Sequence, residues 1–171
     1  MSFTIAPTDP ADIPALQDIE RAANEMFRPL GLIPFPPEGA SVVSHSTHES
    51  LIAAGQSWAA FVDDEPVGFV LGIRHPESHY LAELAVDPKH GRRGIGRALV
   101  DFFCDEADRD GASNVTLSTF RDVAWNAPFY RRLGFRDLAR ADLTDWMKQY
   151  EQNQIAGGLD VTKRVFMRKA L

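Results

Sequence analysis

Lys89, Arg92, Arg93 and Arg97 crowd one short stretch of the chain, with Gly91, Gly94 and Gly96 among them and no carboxylate between Lys89 and Arg97. The residues before it, His79-Tyr80-Leu81-Ala82-Glu83-Leu84-Ala85-Val86, read as a strand, and those after it begin a helix. A strand that passes through a glycine turn into a helix aims several backbone N–H groups at one place, and the first helical turn adds unpaired donors and the positive dipole end. Phosphate oxygens are the natural guest. Gly94 and Gly96 lack the Cβ atoms that would hold a pyrophosphate away from the backbone. The turn is not a Walker loop, because Gly96 is followed by Arg97-Ala98 where Lys-Ser/Thr is required. It is not a dinucleotide fingerprint either, since Leu99 stands where the third glycine would be. A basic helix start without any ligand is the plain alternative.

Other reactive side chains form weaker patterns. His45, His48 and Glu49 share a helix face at metal-like spacing, but no further ligands stand at recognisable distance. A surface or packing role, and no metal, is the expectation. Cys104 is the sole cysteine, lies between Phe103 and Asp105, and has no histidine beside it to activate the thiol. It reads as a small buried hydrophobe. Asp122, just before Trp125-Asn126, suits either a pocket rim or a turn.

The elements that hold these residues alternate in type. Phe3–Ile5 suggests a strand, and Thr8-Asp9-Pro10 a cap with proline in the first helical turn. Ile13, Leu16, Ile19 and Ala23 recur at helical spacing, which predicts a helix to about Phe27. The Pro- and Gly-rich stretch Pro29–Gly39 predicts an irregular link able to cover a pocket, and Ser44–Ala54 a second helix. Strands follow at Ser57–Val62, Val67–Ile73 and His79–Val86. Ile95, Leu99, Phe102, Phe103 and Ala107 mark a long helix that Gly111 stops. Then come a strand at Val115–Phe120, a short helix near Asn126–Leu133, extended Phe135–Leu138, a helix at Leu143–Ile155 and a closing strand at Arg164–Lys169. The order predicts a mixed α/β fold with one strand–turn–helix crossover.

Composition limits the function. At 171 residues the chain suits one domain over 1–171, and its 44% hydrophobic and 25% charged content is that of a globular protein. Eighteen basic against 24 acidic side chains give a net charge of −6, which disfavours nucleic-acid binding and leans toward cationic small molecules. No apolar run approaches the ~20 residues of a bilayer span. The single cysteine and the absence of a signal-like start make no membrane role and the cytoplasm the expectation.

Two segments together carry a resemblance. Leu84-Ala85-Val86-Asp87-Pro88 with Gly91-Arg92-Arg93-Gly94-Ile95-Gly96 is similar to the phosphate turn of the GNAT superfamily, the acetyl-CoA-dependent N-acetyltransferases. Trp125-Asn126-Ala127-Pro128-Phe129-Tyr130-Arg131-Arg132-Leu133-Gly134-Phe135 resembles that superfamily's Asn…Phe-Tyr-x-x-x-Gly-Phe helix. The resemblance is closest over 57–138. One position departs from it: Gly91 replaces the usual Arg or Gln, so that side chain's contact is lost or passes to Arg92 or Arg93.

The resemblance implies a single domain built on a mixed, mostly antiparallel sheet with helices on both faces and a splayed central strand pair. It implies that the backbone of Leu84, Ala85 and Val86 binds the pantetheine arm, and that Arg92, Arg93, Gly94, Ile95, Gly96 and Arg97 hold the pyrophosphate. Asn126 would contact the cofactor or simply cap its helix. The reaction would be direct attack by a primary amine of a small molecule or peptide. Freeing the lone pair of an ammonium with a pKa of about 10.4 costs about 4.6 kcal/mol at pH 7, so a base is needed. Glu83, a water chain or, in reserve, His79 would supply it, and Tyr130 would protonate the departing thiolate. Strict alternation puts Glu83 on the face of His79 and Leu81; a bulge would change that. The same scaffold also suits a non-catalytic acyl-CoA-binding or regulatory domain, or a site for some other anion, and a homodimer is left open.

Overall fold

The computed structural model describes residues 2–171, so the first residue of the predicted 1–171 span lies outside it. Its strands are β1 (Thr4–Pro7), β2 (Ser57–Val62), β3 (Glu65–His75), β4 (Ser78–Val86), β5 (Asn114–Phe120), β6 (Arg136–Asp137) and β7 (Arg164–Ala170). Its helices are α1 (Ile13–Asn24), α2 (His45–Ala53), α3 (Ile95–Arg109), α4 (Ala127–Arg132) and α5 (Asp145–Ala156). The strands form one sheet in the order β1-β2-β3-β4-β5-β7-β6. Every neighbouring pair is antiparallel except β4 and β5, which are joined by the α3 crossover and run parallel.

Helices cover both faces. Leu99 and Phe103 of α3 and Ala127 of α4 pack with Leu81, Val115, Leu117 and Met167 on one side. On the other, Leu16 and Ile19 of α1 meet Phe69, Leu71 and Ala85, while Met147 of α5 meets Tyr80 and Phe166. Full burial of Leu99 and Phe103 contributes about 1.5–3 kcal/mol each.

The N-terminal helix departs from its predicted limits. Asp9 caps a 3-10 turn at Pro10–Asp12 by accepting a hydrogen bond from the Ala11 N–H (2.8 Å), and α1 follows from Ile13. The α-helix ends at Asn24 rather than near Phe27, and a 3-10 segment continues through Leu30. Pro29 cannot donate to an α-helical ladder, and Gly31, at φ 61°, turns the chain away.

The pairing of β4 with β5 fixes the position of the site. The two strands hold register only over Ser78↔Asn114, His79↔Val115 and Tyr80↔Thr116 and then separate. From Leu81 to Val86, β4 is paired with β3 alone, and beyond Thr116, β5 is paired with β7 alone. The facing edges of the pair therefore carry unpaired backbone groups along an opening in the sheet.

Candidate active site

The glycine turn lies at the end of β4 beside this opening. Asp87 accepts from the Lys89 N–H (2.9 Å), and the Gly91 N–H donates to Pro88 O (3.1 Å), which folds the chain back toward α3. Arg92 and Gly94 both have positive φ, 60° and 81°. Gly94 is the residue that precedes α3, and no side chain caps the helix. The first helical bond runs from the Ala98 N–H to Gly94 O (2.9 Å), so the N–H groups of Ile95, Gly96 and Arg97 are left for a guest.

The two glycines serve different ends. Gly94 needs its left-handed backbone, since a Cβ there would meet nothing within 4 Å. At Gly96 a Cβ would make ordinary contacts with Val86 (3.7 Å) and Phe129 (3.9 Å). The fold itself therefore tolerates a side chain at 96, and the space suits a ligand lying close to the backbone. These open amides and the edge of β4 from Leu84 to Val86, which β5 leaves unpaired, fit a diphosphate joined to an extended arm.

Glu83 does not share the face of His79 and Leu81. Register slips between Leu71↔Glu83 and Gly72↔Leu81, which leaves Ala82 without a partner. Leu81 and Leu84 both pack toward α3, so the bulge puts Ala82 and Glu83 on the α1 side. There Glu83 accepts from the Leu84 N–H (3.2 Å) and lies within electrostatic reach of Glu20 and Arg164. Burial pushes the carboxyls of both Glu83 and Glu20 well above the usual carboxylate range, and Glu83's charge raises Glu20 further. His79 is displaced from the reserve role: its ring packs on Phe103 (6.3 Å) and faces Asp110 (3.7 Å), on the α3 side.

Tyr130 projects from α4 and packs against Phe129 and Phe135, with ring centroids 5.1 and 5.6 Å away. Burial, with the charge of Glu83 as a smaller contribution, holds its hydroxyl protonated far above neutrality. Asn126 precedes α4, but its side chain makes no cap bond, so the amide is not spent on the helix. Cys104 is buried, and that burial pushes its thiol up to about 11, the opposite of activation. His45 faces Glu49 (3.6 Å), whereas His48 is fully buried against Phe69, so the two histidines do not converge. Asp122 is exposed in the turn after β5.

Three residues escaped the sequence reading. Glu20 is buried on α1, one helical turn beyond Leu16, and both its oxygens accept from the Val43 N–H (3.1 and 3.0 Å). An acid on an apolar stripe is a visible signal, and it was there to be found. Arg164 and Phe27 gave none. Phe27, just ahead of Pro29–Gly39, places its ring 5.5 Å from Phe120 and 5.7 Å from Trp125, at the end of β5.

Comparison with known proteins agrees with this geometry. The sequence profile of the acetyltransferase (GNAT) family matches residues 16–135. An uncharacterized N-acetyltransferase of Escherichia coli, YafP, is 30% identical over 97 residues, 56% of this chain and 56% of its own length. The E. coli ribosomal protein bS18-alanine N-acetyltransferase is 35% identical over 57 residues, 33% of this chain and 38% of that protein. The aligned parts thus span little more than half of these relatives at most. N-acetylglutamate synthase from Neisseria gonorrhoeae, complexed with coenzyme A and N-acetyl-glutamate, superposes with a TM-score of 0.75 at 17% identity, over all of this chain and 35% of that one. PaiA N-acetyltransferase from Thermoplasma acidophilum, in complex with coenzyme A, gives 0.66 at 16% identity over the whole of both chains. With the family profile extending from α1 through the opening and the amide turn to Phe135, the chain belongs to the acetyltransferase (GNAT) family.

Proposed function

We propose that the protein is an acetyl-CoA-dependent N-acetyltransferase that acetylates a primary amine by direct attack. One observation carries the reading. A raised carboxyl, Glu83, and a buried phenol, Tyr130, flank the opening between β4 and β5 at whose base the uncapped amides of α3 lie. The backbone of Leu84, Ala85 and Val86 extends along the arm of the co-substrate. The amides and side chains of Arg92, Arg93, Gly94, Ile95, Gly96 and Arg97 hold its diphosphate, and Asn126 offers its amide.

Each proton has an owner. Glu83, directly or through water, takes one from the substrate ammonium, and its raised pKa brings it closer to the amine it must deprotonate. The freed lone pair attacks the thioester carbon, the C–N bond forms and the C–S bond breaks. Tyr130, kept neutral by burial, donates its proton to the sulfur and regains one from the nitrogen of the new amide. Glu83 then releases its proton to water.

The test is thiol release from acetyl-CoA with a broad panel of primary amines. Release that depends on an amine and is lost in Tyr130→Phe supports the reading. Coenzyme A binding with no turnover across the panel overturns it in favour of a non-catalytic acyl-CoA-binding domain.

A further inference from the structure

Arg164 opens β7, paired with Phe120 at the end of β5. Its Nη2 donates to Ser118 O (2.8 Å), its Nε to Gln154 Oε1 (3.2 Å), and the guanidinium stacks over Phe120 (4.6 Å). The third nitrogen, Nη1, makes no hydrogen bond to the described residues, and no carboxylate among them forms an ion pair with Arg164. The arginine lines a cleft of about 290 Å³ that also touches Ser118, Gln154 and Thr162. That volume is at the small end for molecules of low mass.

The other arginines of the cleft are already engaged. Arg140 holds Glu151 with two bonds (2.7 and 3.2 Å), and Arg121 faces Asp137 at 3.9 Å. Arg164 is half-buried, and its Nη1 is completed when an anionic acceptor arrives from outside. Arg164 also lies within electrostatic reach of Glu83, Tyr80 and Tyr130. The carboxyls of Glu83 and Glu20 and a guanidinium with an open Nη1 thus lie within reach of one another.

We infer that the acceptor is a small zwitterion of the amino-acid class, whose carboxylate docks on Nη1 and Nη2 of Arg164 while its amine faces Glu83. Arg164 is thus the residue that sets specificity, and Phe27, Phe120 and Trp125 form the apolar mouth beside it. A guanidinium suits this role because its fork matches a carboxylate in two parallel bonds. The inference rests on the acetyltransferase reading above and narrows its acceptor.

Thiol release is compared for free amino acids, their carboxamides and the corresponding decarboxylated amines. In the wild-type protein, kcat/KM is expected to favour the free acids by about ten- to a hundredfold, mostly through KM. The ratio falls toward one in Arg164→Gln and recovers in part in Arg164→Lys. Carboxamides acetylated as well as the acids would overturn the inference and leave the acetyltransferase reading intact. A second readout does not need turnover: amino acids, but not their carboxamides, should raise the melting temperature in the presence of coenzyme A, and Arg164→Gln should abolish the rise. No thiol release with any amine would overturn the acetyltransferase reading, and no differential thermal shift would remove the zwitterion site with it.

Discussion

Glu20 of α1 lies within electrostatic reach of Glu83 in the bulge of β4, and neither carboxyl forms an ion pair among the described residues. Both are pushed above the ordinary value of 4.5, and in the pair the charge of Glu83 helps to keep Glu20 protonated. The proposed reaction gives the two acids different tasks. In it one ionises to serve as base; the other accepts from the Val43 N–H, tying the segment after Pro29–Gly39 to α1.

Glu83→Gln should lower kcat by about 10²- to 10⁴-fold at neutral pH, the usual scale for loss of a general base. In the wild-type protein, rates should climb through neutrality, because Glu83 ionises well above the usual carboxylate range. In the variant, activity should return in part as alkaline pH frees the amine directly. A uniform loss at every pH would assign Glu83 to positioning instead.

Glu20→Gln mimics the protonated acid, so turnover should stay within about threefold, and the change should appear in stability. A folded carboxyl with a raised pKa binds more protons than the unfolded chain, so its contribution falls as pH rises through the folded value. The wild-type melting temperature should therefore decline from slightly acidic to alkaline pH more steeply than that of the variant. Parallel melting curves across that range would contradict burial of an ionisable Glu20.

Tyr130→Phe should reduce kcat by about 10²-fold or more and leave coenzyme A affinity nearly unchanged, because the ring packing on Phe129 and Phe135 survives. Calorimetric titration beside steady-state kinetics separates the two effects. An unaltered kcat removes the hydroxyl from the proton inventory.

Gly96→Ala and Gly94→Ala should differ in kind. At Gly96 the fold has room, and alanine is the better helix former by up to about 1 kcal/mol, so stability should hold or rise while coenzyme A affinity falls. At Gly94 the φ of 81° makes alanine costly by roughly 1–2 kcal/mol in stability itself. Thermal melts and coenzyme A titrations of both variants check the contrast. Undiminished affinity in Gly96→Ala would contradict the diphosphate assignment.

Gly72→Ala should destabilise the protein by about 1–3 kcal/mol, since the new methyl would overlap the ring of the fully buried Phe103. Gly72 pairs with Leu81 at the bulge, so the same change should disturb the aim of Glu83 and lower kcat. Denaturant unfolding and kinetics on one preparation measure both.

The local code determined most of the scaffold. Periodicity marked α1, α3 and the strands, and the glycine spacing with its local excess of positive charge marked the amide turn, because those signals arise between residues close in the chain. The segment Trp125–Phe135 likewise carried the position of Tyr130. Tertiary structure alone decided the rest. Strict alternation put Glu83 on the wrong face, because a bulge is set by how β3 and β4 pair, and no pattern within β4 records it. Glu20, Arg164 and Phe27 stand far from the motifs in sequence and join them only when α1, β7 and the end of the α1 segment fold over the parted strands. The proposed base, acid and acceptor anchor depend on distances and burial, and those exist only once distant segments share one low-dielectric space.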